Sequence, residues 1–464
     1  MDTEQPDLLI IGSGTAATNA ARAATRAGAQ RVVVVHRPER INTCVEAGCM
    51  PSKSVLAGAH QGESFATVME TKDAHIARLR GALLEGINAG NFTVVVGRAR
   101  FCSDTEVAVD TDEGTTTYTP QRIIIATGST PFVPPIDGLD TLGDRLLVSD
   151  DVVGEQVALA ERPERILTIG AGPIGLELST FFHDLGSQVT VLHRGDRLLP
   201  ALDPEFGAER LRASQGEGSF PIQLQANLLR ATRTAEGVQC LIGHAGEERT
   251  ETYDYVLMAT GRTPNIADLD LPHTSLARDE RGGIVHDDTL QTSVPHIYLA
   301  GDVTGHHQIL HYAAKMGERA AYNALQPAQA RPFEYAAHQL AISFDQYPSG
   351  LIGLTEEAAA ARGIAVATAT RYFNSIGLGI LKRQEYGLWK LVAEAGSGRI
   401  LGAQVLGPDS AGELLQLAVP LIANQHTAHD VCNMTWYHPT YAEILHSLAR
   451  DICGQESVHC PGVE

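Results

Sequence analysis

Apolar and polar residues alternate along this chain in a pattern that appears twice. Residues 7–37, DLLIIGSGTAATNAARAATRAGAQRVVVVHR, read as an apolar strand, a glycine turn, an alanine-rich helix and a second apolar strand. That is one βαβ unit. The order returns at residues 165–194, RILTIGAGPIGLELSTFFHDLGSQVTVLHR. Each unit needs a parallel sheet covered on both faces, so two dinucleotide-sized domains are expected. RIIIATGSTPFVPP (122–135) and its echo YVLMATGRTPN (255–265) read as buried strands stopped by glycine and proline, marking crossings between domains. HIYLAGDV (296–303) is a further strand, followed by an alanine-rich helical stretch. Beyond QPAQARP, helix-like stretches (TEEAAAARG, SAGELLQLAVPLIANQ) alternate with strand-like ones (GLWKLVAEA, RILGAQVLG) in an α+β pattern without a nucleotide fingerprint.

The length of 464 residues suits about three domains. A formal net charge of −20 repels nucleic acid and anionic lipid, and no apolar run is long enough to span a bilayer, so neither partner is expected. The start MDTEQPD is acidic and lacks a basic region, so no secretory or transit segment is expected and a cytoplasmic location is the default. Seven cysteines are too few for a disulfide scaffold and point to reduced thiols with room for a redox pair.

In the first turn Gly12 permits the tight bend, Gly14 lets backbone approach a pyrophosphate and Ala17 takes the third small position; Gly170, Gly172 and Gly175 repeat the arrangement. The acid expected after each second strand to hold a ribose is missing. His36 stands in the first copy, with Glu39 or backbone as substitutes, and His193 with Arg194 in the second, which favours tolerance of NADP. Cys44 and Cys49 flank Gly48 in CVEAGCMPSK. Five helical steps would part the sulfurs too far for a disulfide, so a redox pair there requires an irregular turn; unconnected thiols are the other reading of the spacing.

These motifs together (GxGxxA, CVxxGCxPSK, ATGSTP, GxGPIGLE, ATGRTPN, TSVPHIYLAGDV and HPTYAE) resemble the FAD-dependent pyridine nucleotide–disulfide oxidoreductases, from about Leu8 to Leu448. The resemblance implies an α/β fold of two Rossmann-like dinucleotide-binding domains plus an α+β carboxy-terminal dimerisation domain. The expected division is FAD-binding at 1–148 and 270–335, NAD(P)-binding at 149–269 and interface at 336–464. It implies FAD held by the first turn with Lys53, Thr127, Gly128 and Asp302, and NAD or NADP held by the second with Gly261. Cys44 would be the interchange thiol and Cys49 the flavin-side thiolate of a redox disulfide, with Lys53 near the flavin and Glu177 its ion partner. His438, oriented by Glu443, would be the base, supplied in relatives by the second subunit of a homodimer.

Mercuric reductases generally lack that His–Glu pair, so HPTYAE favours a dithiol substrate, and dihydrolipoyl dehydrogenase-like chemistry on a lipoyl group, free or on a carrier protein, is expected. The alternatives are a glutathione-like disulfide reductase, a mercuric reductase-like enzyme, or a flavin-bearing subunit that docks on a lipoyl protein without turnover. Ile41-Asn42-Thr43 before Cys44, Glu46, Pro173 and FDQYPSG (344–350) depart from the family pattern. No metal site is expected, since His307 and His311 lack an evident third ligand. Cys453 and Cys460 read as idle thiols of a frayed tail, the other reading being a carboxy-terminal thiol pair that relays electrons as in mercuric and large thioredoxin reductases, and Cys102, Cys240 and Cys432 have no recognisable partners.

Overall fold

The computed structural model describes residues 3–155, 159–216, 218–334, 341–343 and 345–460. FDQYPSG therefore lies outside the described residues at Phe344. The chain forms two compact units, one of residues 1–133, 148–160 and 261–334, the other of residues 134–147, 161–260 and 335–464.

In the first unit, near-continuous apolar runs make the buried strands of a parallel sheet, in the order Ile297–Leu299, Ile123–Ile125, Leu8–Ile11 and Val32–His36, with Thr93–Val96 as its exposed edge. Leu8, Leu9, Ile10, Val34 and Ile123 to Ile125 are completely buried. The helix Thr15–Arg26 presents Ala16, Ala17, Ala20, Ala21 and Ala24 inward, small residues that let the helix Leu310–Leu325 pack close against it. An antiparallel sheet of Arg98–Phe101, Val107–Thr111 and Gly114–Tyr118 is attached to this unit.

The second unit repeats the first plan. Tyr255–Met258, Arg165–Ile169, Gln188–His193 and Ile222–Leu224 run parallel in that order, so in both copies the strand leading into the glycine turn is central. Open sheets of this kind bind ligands at the carboxyl ends of those strands. Pro173 opens the following helix, Pro173–Asp184, at a position that needs no backbone N–H. The same unit carries a second, antiparallel layer: Ala341–Ser343, Ser349–Gly353, Ile400–Leu406, Leu388–Glu394 and Val366–Tyr372. The helix Ile444–Cys453 turns Ile444, Leu445, Leu448, Ala449 and Ile452 onto it at helical spacing.

Buried polar groups tie the two layers of this unit. Lys390, 4% exposed, meets Asp203 at 2.9 Å and Glu205 and Glu356 at 2.7 Å each, and Gln404 bonds both the backbone N–H and the carboxylate of Asp203. Paired in this way, buried charges avoid most of their desolvation cost. No helix among the described residues is long and apolar enough to cross a membrane.

Candidate active site

The two glycine turns have the same construction. Gly12 sits at φ +123°, and a Cβ there would lie 2.2 Å from the Ala126 carbonyl oxygen; Gly170 sits at φ +108°, with a Cβ 2.3 Å from that of Ala259. Both positions exclude a side chain. Nothing lies within 4 Å of a Cβ on Gly14 or Gly172, which leaves open the helix amino termini where backbone N–H groups face outward. The third positions differ: Ala17 is buried without conflict, whereas a Cβ on Gly175 would come 2.0 Å from the Gly170 carbonyl.

A cavity of about 400 Å³ opens before the first turn, lined by Gly12, Gly14, Glu39, Arg40, Thr127 and Gly128 among others. The Thr127 hydroxyl is buried there without a partner. Asp302 follows the strand Ile297–Leu299; burial raises its pKa, while the Ser129 hydroxyl donating at 2.8 Å and the charge of Arg262 oppose the shift. An open helix terminus, an unsatisfied hydroxyl and a shielded carboxylate fit the diphosphate and polyol of a flavin dinucleotide. Of the proposed ribose substitutes, Glu39 lines the cavity but is paired with Arg98, and His36 has its Nδ1 2.7 Å from the Arg37 carbonyl. Gly261 takes φ +115° and accepts the Phe132 N–H at 2.9 Å.

In the second copy, burial lowers the pKa of His193, the charge of Arg194 adds to that, and a hydrogen bond with the Arg197 backbone opposes it. A neutral imidazole leaves the exposed Arg194 as the cation of that strand end.

Between the sulfurs, the short helix Thr43–Glu46 stops, the chain turns irregularly at Ala47 and Gly48, and a new helix Cys49–His60 starts at Cys49, with Pro51 in its first turn. This break lets the side chains meet. Neither is in a disulfide, and the hydrogen bond between them, followed by burial, drives the pKa of Cys44 far above the ordinary thiol value, with the Lys53 ammonium pulling the other way. The segment is held from below. Asn42 accepts the Cys44 and Val45 N–H groups at 2.9 and 3.3 Å. Glu46, 4% exposed, accepts the Ile41 and Asn42 N–H groups at 2.7 and 2.9 Å and faces Arg80 at 3.1 Å. The sequence marks Asn42 and Glu46 only as departures from a pattern; their capping role needs the fold.

His438 and Glu443 lie on the loop joining the helices Ala428–Cys432 and Ile444–Cys453, in the second unit. His438 Nδ1 is 2.7 Å from Glu443 Oε2, and the imidazole is 73% exposed while the carboxylate is 20% exposed. The carboxylate fixes Nδ1 as the donor and leaves Nε2 to take a proton. Beside the pair is a depression of about 340 Å³ lined by Ile376, Met434, Trp436, His446 and Ser447.

Lys53 lies one helical turn beyond Cys49, and Glu177 is buried on the helix Pro173–Asp184; they belong to different units. Among the described residues no group of three or more His, Cys, Asp and Glu side chains could hold a metal, His307 and His311 included. The reading of Cys453 and Cys460 as idle thiols is corrected: they form a disulfide. Cys432 also has a neighbour, the Cys453 sulfur at 3.9 Å. Packing of two helices, not spacing, brings these together, so the sequence gives no sign of it.

Comparison with known proteins agrees with this layout. Residues 6–325 match the family described as pyridine nucleotide-disulphide oxidoreductase, and residues 341–449 its dimerisation domain. The chain is 34% identical to a mercuric reductase of Streptomyces lividans, covering 96% of this chain and 95% of that protein. It is 29% identical to the dihydrolipoyl dehydrogenase of Bacillus subtilis (strain 168), covering 97% of each. A solved structure described as the Cu(II) complex of the HOCl-induced flavoprotein disulfide reductase RclA from Escherichia coli superposes with a TM-score of 0.84 at 25% identity, over 97% of this chain and 99% of that one.

Proposed function

The chain belongs to the pyridine nucleotide-disulphide oxidoreductase family, and from that premise we propose that it is a dihydrolipoyl dehydrogenase-like enzyme that oxidises a lipoyl dithiol through a Cys44–Cys49 disulfide. The observation that carries this reading is the His438–Glu443 pair at 2.7 Å. Thiol–disulfide chemistry must move protons, and this pair is built to move one.

In the oxidised enzyme a substrate thiolate attacks Cys44 Sγ, the Cys44–Cys49 bond breaks and Cys49 leaves as thiolate. The second substrate thiol then attacks the substrate sulfur of the mixed disulfide and frees Cys44, so one disulfide is exchanged for one dithiol. His438 Nε2 takes the substrate proton, and Glu443 stabilises the imidazolium through Nδ1. Lys53, whose charge favours a thiolate at this segment, steadies the leaving sulfur. FAD, held by Gly12, Gly14, Ala17, Thr127, Gly128 and Asp302, would supply the two-electron link between the dithiol and a nicotinamide nucleotide. Gly170, Gly172 and Gly175 would hold that nucleotide, with Arg194 placed to receive a 2′-phosphate. The exposure of His438 suits a base handed to the disulfide of a second copy in a homodimer.

A second reading, NAD(P)H-driven reduction of a soft metal ion, is favoured by the 34% identity to mercuric reductases. Turnover of the purified flavoprotein separates the two. NADH or NADPH should form from dihydrolipoamide, and Cys49→Ser should abolish it; Hg(II) or Cu(II) reduction with no dihydrolipoamide turnover would replace the dithiol reading.

A further inference from the structure

The second unit contains a sulfur cluster that the proposed reaction does not use. Cys453 ends the helix Ile444–Cys453 and is bonded to Cys460, their Cα atoms 5.4 Å apart. Cys432 ends the helix Ala428–Cys432, and its sulfur lies 3.9 Å from that of Cys453. All three pack against one apolar cluster that includes Val431, Leu448, Ile452 and Val458. Cys453 is thus a central sulfur within reach of two others and able to bond only one at a time.

The tail is held by hydrogen bonds as well as by the disulfide. Residues 454–460 are tied separately: the Gln455 amide donates to the Thr368 carbonyl at 2.8 Å, Gly396 N–H to Ser457 at 2.6 Å and His459 N–H to Gly396 at 3.0 Å. On the other side, the two helices ending in Cys432 and Cys453 pack together, and the loop between them carries His438 and Glu443.

We propose that Cys432, Cys453 and Cys460 form a thiol–disulfide exchange centre, in which Cys432 attacks Cys453 and releases Cys460, moving the crosslink from the tail to the stem of the His438–Glu443 loop. The Cys453–Cys460 bond breaks, the Cys432–Cys453 bond forms, and the proton lost by Cys432 ends on Cys460. Nothing is oxidised or reduced overall, so the step needs no co-reactant. The bond in place closes a sequence separation of 7 and the alternative one of 21; the longer ring restricts the unfolded chain more, so the exchanged form would hold the fold more firmly against unfolding. Burial raises the Cys432 pKa against the pull of Arg450, so the attacking thiolate is scarce at neutral pH and exchange quickens as pH rises.

The test maps disulfides in the full-length flavoprotein, incubated at pH 7 and at pH 9, quenched in acid, alkylated and digested without reduction. The expected result is a Cys432–Cys453 linkage beside Cys453–Cys460, appearing about tenfold faster per pH unit and absent in Cys432→Ala. Mild oxidation of Cys460→Ser should yield the Cys432–Cys453 linkage as its main disulfide. If the unsubstituted protein shows only Cys453–Cys460, with Cys432 fully alkylated at both pH values, the proposal is overturned whatever the variants do.

Discussion

The thiol segment 41–49 and the imidazole loop 433–443 carry the two halves of the proposed chemistry, yet they are held very differently. The thiol segment is fastened on every side. Its amides end on Asn42 and Glu46, Glu46 is itself paired with Arg80, and the Ile41 carbonyl accepts the Ser13 hydroxyl at 2.8 Å. The hydrogen bonds of the imidazole loop are local, Thr440 to the Tyr437 carbonyl at 2.8 Å, Trp436 to that of Val431 at 3.2 Å, and the His438–Glu443 pair, while Trp436 and Tyr441 rest on the apolar core, Tyr441 edge-on to Phe373 at 5.3 Å. Tyr437 is 81% exposed. Two sulfurs that must bond and separate tolerate little positional error, so their backbone is fixed within one chain. A base that only collects a proton can be fixed by its orienting carboxylate and by whatever surface closes over it.

The largest effect expected from breaking this contrast is at the sulfurs. Cys44→Ser or Cys49→Ser should lower dihydrolipoamide turnover by at least about 10⁴-fold, the scale for loss of an attacking group. NADH should still pass electrons to an artificial acceptor, because the nucleotide turns are untouched. Loss of both activities together would place the thiol segment in flavin binding and not in substrate chemistry.

His438→Gln comes next, with a decrease of about 10²–10⁴-fold, the range for general acid–base catalysis. Its pH dependence is the sharper readout. In the disulfide-reducing direction Cys44 must attack, and its thiol is held far above the ordinary range, first by the hydrogen bond it donates to Cys49 and then by burial. Below such a pKa the thiolate fraction grows tenfold per pH unit. The His438→Gln rate should therefore climb about tenfold per unit between pH 7 and 9, while the unsubstituted enzyme, whose base supplies the thiolate, responds less steeply. Parallel pH profiles would remove His438 from the proton path.

What the sequence could reveal follows the same division. Gly12 and Gly170 are legible because the backbone there admits no other residue type, and the strands are legible because full burial demands unbroken apolar runs. His438 and Glu443 stand out because five residues of local chain suffice to join them. Glu46 is different: its partners are two amides that a bend brings back and Arg80, 34 positions away, so in one dimension it looks like an odd neighbour of Cys44. Glu39 is half legible: its charge and place after the strand can be read in one dimension, but its pairing with Arg98 cannot. Cys432 has no partner until two helices pack side by side.

The smallest expected effects isolate the fastening itself. Glu46→Ala leaves the Ile41 and Asn42 N–H groups without their acceptor in a buried site, a loss of about 1–3 kcal/mol for each unsatisfied amide. Thr440→Ala removes one hydroxyl bond in the exposed loop and should change stability by no more than about 0.5 kcal/mol. Chemical denaturation of the full-length protein, followed by flavin fluorescence and far-ultraviolet circular dichroism, measures both. Glu46→Ala should also slow dithiol turnover, because bending the segment moves Cys44 relative to Cys49, whereas Thr440→Ala should leave the His438–Glu443 pair and its turnover intact. Equal stability losses in the two variants would mean that the loop is as tightly built as the thiol segment, and the asymmetry would then need a cause other than local hydrogen bonding.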